Sequence, residues 1–132
     1  MRKLIPLMLI VLGLASCGHW TVISMSLSNH SAMPVSDVSV DFAGRIKRID
    51  GLAPKGSGFL MSQGGEGGIC LTYRRGGKTL SYSLGYMTEN MPTHYRIEIR
   101  PESISVKERS WGSAESEAGI NRPLPSGKAC KA

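Results

Sequence analysis

Three histidines (His19, His30, His94) and three cysteines (Cys17, Cys70, Cys130) are the natural candidates for metal, redox or nucleophilic chemistry in this 132-residue chain. Each of those chemistries demands a spacing that holds several ligands, or a nucleophile and its base, on one element. No histidine pair has the H-E-x-x-H frame, and no two thiols lie close enough for a zinc or redox motif. The "GSG" at 56–58 lacks the G-x-S-x-G frame of a nucleophile elbow. The "QGGEGG" at 63–68 lacks the Lys-Ser/Thr of a phosphate loop and reads as a connection between strands. Asp37, Asp41, Glu98 and Glu102 fall on solvent faces or turns, where no buried or charged neighbour tunes a general acid. The residues give no catalytic, cofactor-binding or metal site and point to no small-molecule substrate. A protein that is not an enzyme is expected.

The elements that would position any other site are strands. Apolar and polar residues alternate in "TVISMSLSN", with Ile23, Met25 and Leu27 on one face, and in "SDVSVDF", with Val38, Val40 and Phe42. Alternation recurs in "GICLTYR", "TLSYSLGY", "YRIEIR" and "SISVKE", and it is the signature of half-buried strands. "GRIKRIDGL" is a further, irregular strand, because Ile46 and Ile49 cannot share a face without a bulge or turn. No ten-residue segment has helical periodicity.

Two hairpins follow from register. Gly76-Gly77 suits a two-residue turn with positive φ at both positions. It sets Tyr73 against Leu80, Leu71 against Tyr82 and Ile69 against Leu84, and places Cys70 with Ser83 on the opposite face. A turn centred on Pro101-Glu102 pairs Ile99 with Ile104 and Ile97 with Val106, at the cost of placing Arg96 opposite Lys107. About seven short strands with one buried face each predict an all-β fold, a small antiparallel β-sandwich over residues 20–108. The remainder, 109–132, is rich in Ser, Ala, Gly and Pro, and predicts a flexible or loosely docked tail. Trp111 is expected to pack back on the core edge.

The long apolar run lies at the start of the chain. "MRK" supplies two positive charges, and "LIPLMLIVLGLA" follows without a charge before small residues lead into Cys17. A spanning helix needs roughly 20 apolar residues, and a charged start with a short apolar centre is the grammar of a cleaved export signal. Leu14-Ala15-Ser16-Cys17 resembles the lipobox of bacterial lipoproteins. The resemblance implies that 1–16 is removed, that Cys17 carries a diacylglyceryl group, and that its acyl chains partner a lipid bilayer. Two or three chains would make that attachment effectively permanent. Gly18 in place of the aspartate that resembles a retention signal implies the outer membrane of the cell envelope, on its periplasmic face. Residues 17–19 then form a very short tether, and Trp20 is expected at the membrane interface, where aromatics prefer to sit.

Without residues 1–16 the chain keeps 116 residues, with 14 Lys+Arg against 10 Asp+Glu, a charge of +4 rather than +6. That length makes one domain. The basic residues are scattered without interleaved aromatics, so nucleic acid is not an expected partner. The stretch "NHSAMPVSDVSVDF … RIDGLAPKGSG" resembles immunoglobulin-like (or transthyretin-like) modules of envelope proteins over about 40 residues. Physically, Asn29 and Ser31 can cap one turn, and Pro54 with Gly56 forces another.

Export also bears on the thiols. With Cys17 lipidated, Cys70 and Cys130 form an even pair in an oxidising compartment. A bridge between them would fasten the tail across the outer face; two free thiols, or an intermolecular bond through Cys130, are the alternatives. The functional expectation is a non-enzymatic binding or scaffolding module for another, unidentified envelope protein. A lipid-anchored immunity protein or inhibitor, acting on a toxin or cell-wall hydrolase, is the alternative.

Overall fold

Short alternating segments with one apolar face each have one economical arrangement, two sheets laid face to face. The computed structural model describes residues 22–63, 65–88, 92–110, 114–125 and 130. Its strands are β1 (Val22–Asn29), β2 (Val35–Phe42), β3 (Arg45–Leu52), β4 (Ser57–Gln63), β5 (Gly67–Arg75), β6 (Lys78–Met87), β7 (Thr93–Ile99), β8 (Ile104–Ser110) and β9 (Ser116–Asn121). They form a five-stranded sheet in the order β4-β1-β7-β8-β9 and a four-stranded sheet in the order β3-β2-β5-β6. The protein is an all-β sandwich.

The inward residues of both sheets make one core. Ile23, Met25 and Leu27 of β1 and Tyr95, Ile97 and Ile99 of β7 meet Val38, Val40, Phe42, Leu71, Tyr73 and Tyr82 of the other sheet. The Gly76-Gly77 turn has φ of 58° and 77°, and the pairs Tyr73–Leu80, Leu71–Tyr82 and Cys70–Ser83 form as expected. Beyond Cys70 the register slips, and Ile69 lies opposite Gly85 instead of Leu84. Gly85, at φ 127°, lets β6 bulge so that Leu84 and Met87, three residues apart, both reach the core. The second hairpin matches its expected register, including Arg96 opposite Lys107.

β3 runs without a bulge, and Ile46 and Ile49 lie on different faces, as their spacing in an unbulged strand requires: Ile46 is exposed and Ile49 packs against the core. Three features depart from the sequence reading. The strands number nine among the described residues, not about seven. One pair, β1 with β7, is parallel, whereas the other pairs are antiparallel. Finally, the segment expected as a tail supplies β9, which pairs with β8 from Ile104–Asn121 to Glu108–Ser116. The outer edge of β8 needs a backbone partner more than β9 needs apolar side chains, so a polar segment can serve.

β1 has partners on both sides, with Ile23–Ser62 pairing it to β4 and Ile23–Thr93 pairing it to β7. The strand nearest Cys17 in sequence is therefore built into the interior of a sheet.

Candidate functional site

Two places bring chemistry-bearing residues together. The first is the pair Cys70 and Cys130, which are bonded, with Cα atoms 5.9 Å apart. Cys70 projects from the face of β5 opposite Leu71 and Tyr73, and it is buried at its bond to Cys130 of the C-terminal segment. That segment also covers the edge of β6. The Leu124 amide donates to the Ser81 carbonyl at 2.8 Å, and the Asn121 Nδ2 donates to the Ser83 carbonyl at 3.0 Å. An edge strand with free carbonyls invites pairing with another chain, and here the protein's own tail occupies it.

The second place is the outer face of the five-stranded sheet. Its cross-strand rows read Met61, Ser24, His94, Arg109 and then Phe59, Ser26, Arg96, Lys107. Alternation on β1 puts serines outward wherever an apolar residue points inward. The His94 ring lies between two of them, with Nδ1 2.8 Å from Ser24 Oγ and Nε2 3.3 Å from Ser26 Oγ. Phe59 stacks on the ring at 6.4 Å between centroids. His94 thus has both nitrogens engaged by hydroxyls, and among the described residues no carboxylate orients it as the base of a hydrolytic triad requires.

An open cleft of about 340 Å³ adjoins this cluster, lined by Val22, Ser24, Thr93, His94, Arg109 and Ser110. The Arg109 guanidinium at the side of this opening suits a negatively charged group. No group of three or more His, Cys, Asp or Glu that could hold a metal ion occurs among the described residues. No helix among them is long and apolar enough to cross a membrane.

The carboxylates singled out in the sequence are surface groups. Asp37 faces Arg74 at 3.8 Å, and Asp41 Oδ1 accepts from the Gly44 amide at 2.6 Å. Glu98 lies beside Arg100, whose hydrogen bond holds its carboxyl below the usual range. His30 is exposed and meets Ser28 at 2.9 Å. Cys17, Trp20 and Trp111 lie outside the described residues. Sequence reasoning missed Phe59, Met61 and Arg109, and the Ser24–His94–Ser26 cluster. Its members are some 70 residues apart and only the parallel β1–β7 register joins them. The outward apolar pair on β4 left one trace, the unbroken run Phe59-Leu60-Met61 in place of alternation.

No family profile matches the sequence, and no curated protein matches it either. Among solved structures, an NMR structure of a protein from Eubacterium rectale superposes with a TM-score of 0.49 at 17% identity, covering 60% of this chain and 77% of that one.

Proposed function

We propose that this is an exported lipoprotein, anchored by acyl chains on Cys17 to the periplasmic face of the outer membrane, whose sandwich is a non-enzymatic binding or scaffolding module. The observation that carries the reading is the placement of the Leu14-Ala15-Ser16-Cys17 motif only five residues before Val22, where β1 begins. An extended chain spans at most about 3.6 Å per residue, so the domain starts within roughly 18 Å of the acylated cysteine. β1 is held by β4 and β7 on its two sides, so a pull on the anchor loads the middle of a sheet and not a peelable edge. The Cys70–Cys130 bond further suits an oxidising compartment. A short link and a rigid, strand-rich body favour contact with partners close to the membrane.

Mass spectrometry of the N-terminal peptide from envelope-extracted protein tests this reading. A peptide beginning at Cys17 with diacylglyceryl mass is expected, and Cys17→Ser should abolish both the modification and membrane recovery. A chain that begins elsewhere, or an unmodified Cys17, overturns it.

A further inference from the structure

The anchor end of the sandwich is defined by register. β1 and β7 begin there and β4 and β8 end there, with Val22 opposite Gln63 and Thr93 opposite Ser110. On the outer face of the five-stranded sheet, this end carries Val22, Met61 and, one row further in, Phe59. These side chains are 39%, 54% and 56% exposed, although large apolar groups elsewhere on that sheet point mostly inward. Beside them stand Arg109, Arg96 and Lys107, with the cleft at Ser24, His94 and Arg109 between the apolar strip and the cations. Arg96 pairs with Glu115, while among the described residues Arg109 meets no carboxylate. An apolar strip flanked by cations, with a polar opening between, complements an anionic lipid surface: hydrocarbon below, phosphate at the headgroup.

Resting on the lipoprotein reading, we infer that the proximal outer face of the five-stranded sheet docks on an anionic phospholipid bilayer, with a headgroup phosphate seated in the His94–Arg109 cleft. Phe59, Met61 and Val22 enter the boundary between headgroup and acyl chain. The position of the chain's entry argues for this occupant over a protein partner. The acylated cysteine lies five residues from Val22, and so brings a bilayer to this end of the sheet before any other partner arrives. The opposite sheet stays in water, with its exposed Ile46 and Tyr86.

Two native methionines report on the orientation without substitution. Met61 is on the docking face, and Met33, 48% exposed, lies in the β1–β2 connection at the far end of the sandwich. The mature lipoprotein is reconstituted in phosphatidylcholine vesicles with or without phosphatidylglycerol, or held in neutral detergent micelles, and treated with hydrogen peroxide. Sulfoxide at each site is read by peptide mass. Met61 should oxidise about tenfold more slowly on phosphatidylglycerol vesicles than in micelles, as a face docked nine times in ten requires. Met33 should be unchanged, and high salt or the double variant Arg96→Glu/Arg109→Glu should restore Met61 oxidation. Equal oxidation of Met61 in all three settings, on protein whose Cys17 peptide carries lipid, overturns the docking and leaves the anchor standing. An unmodified Cys17 peptide in the same digest overturns the anchor. Protection equal with and without phosphatidylglycerol overturns the anionic-headgroup assignment. Protection that rises with protein concentration in micelles assigns the face to a second copy of the chain and overturns the inference too.

Discussion

Asn29 Nδ2 donates to the carbonyl of Leu52 at 3.1 Å, joining the end of β1 to the end of β3. The same amide donates to the Met33 carbonyl at 2.8 Å, and its Oδ1 accepts from the amide and hydroxyl of Ser31. The Asn29 backbone completes the knot, accepting from the Lys55 amide and donating to the Gly56 carbonyl. One fully buried side chain thus closes both the β1–β2 and β3–β4 connections at the end of the sandwich opposite Val22.

Asn29→Ala should therefore destabilise the fold by about 2–4 kcal/mol, since each abandoned buried partner costs about 1–3 kcal/mol and the loops recover part of it. Urea unfolding with the disulfide intact measures this. A cost below about 1 kcal/mol would mean that water replaces the amide at both carbonyls.

The Cys70–Cys130 bond closes a 60-residue separation, for which chain entropy gives about 4 kcal/mol of stabilisation. Cys130→Ser should lower stability by up to that amount. It should also speed hydrogen exchange at the Leu124 amide, whose acceptor is the Ser81 carbonyl on the β6 edge. Exchange at core amides such as Leu71 should follow only the global loss. If Leu124 exchanges no faster than in the unaltered protein, the tail holds the edge without the bond.

How much of this was legible in the sequence depends on how far each feature reaches along the chain. The β5–β6 and β7–β8 hairpins were readable because turn chemistry and alternation sit within one short stretch. The slip at Ile69 was not, because Gly85 gives no sign of whether its freedom will be used. β4 was hidden by its own polarity: Leu60 and Ser62 point inward while Phe59 and Met61 point out, so hydrophobicity alone does not alternate. β9, with Ile120 outward and exposed, carries no core signal at all. The Cys70–Cys130 bond was reachable by counting thiols and assigning Cys70 a face. The outer-face cluster was not reachable, since Phe59, Ser24, His94 and Arg109 meet only through the order of strands in the sheet.

Two tyrosines give the protein an alkaline limit. Burial, and then the hydroxyl contact with Tyr82, push the Tyr73 pKa up from 10.0. Burial, with Glu108 adding to it, pushes Tyr95 up to about 12. The folded state keeps protons that the unfolded chain releases above pH 10, so this stabilisation is complete below pH 10 and is lost as pH rises through the folded values. Each group should contribute a slope of about 1.4 kcal/mol per pH unit between 10 and 12. Tyr95→Phe should remove its share of the slope without disturbing the 2.9 Å Tyr73–Tyr82 contact. Denaturant melts at pH 9, 10.5 and 11.5 test this on the order of these slopes; identical pH profiles for the two proteins would refute it.

The β5–β6 turn leaves room for improvement. Gly76 and Gly77 both have positive φ, at 58° and 77°, the geometry that Asn-Gly fills as well as Gly-Gly does. Two glycines leave the unfolded chain needlessly free, and restricting one of them stabilises by about 0.4–1 kcal/mol where the new residue tolerates the native φ. A Cβ on Gly76 would meet only the terminal Cε of Met33 at 3.3 Å, the flexible end of a side chain that is 48% exposed. Gly76→Asn should thus raise the urea midpoint without changing the slope of the transition. Gly76→Val, whose branched side chain resists positive φ, should lower it. If both variants fell below the unaltered protein by the same amount, the Met33 contact and not the backbone would govern this turn.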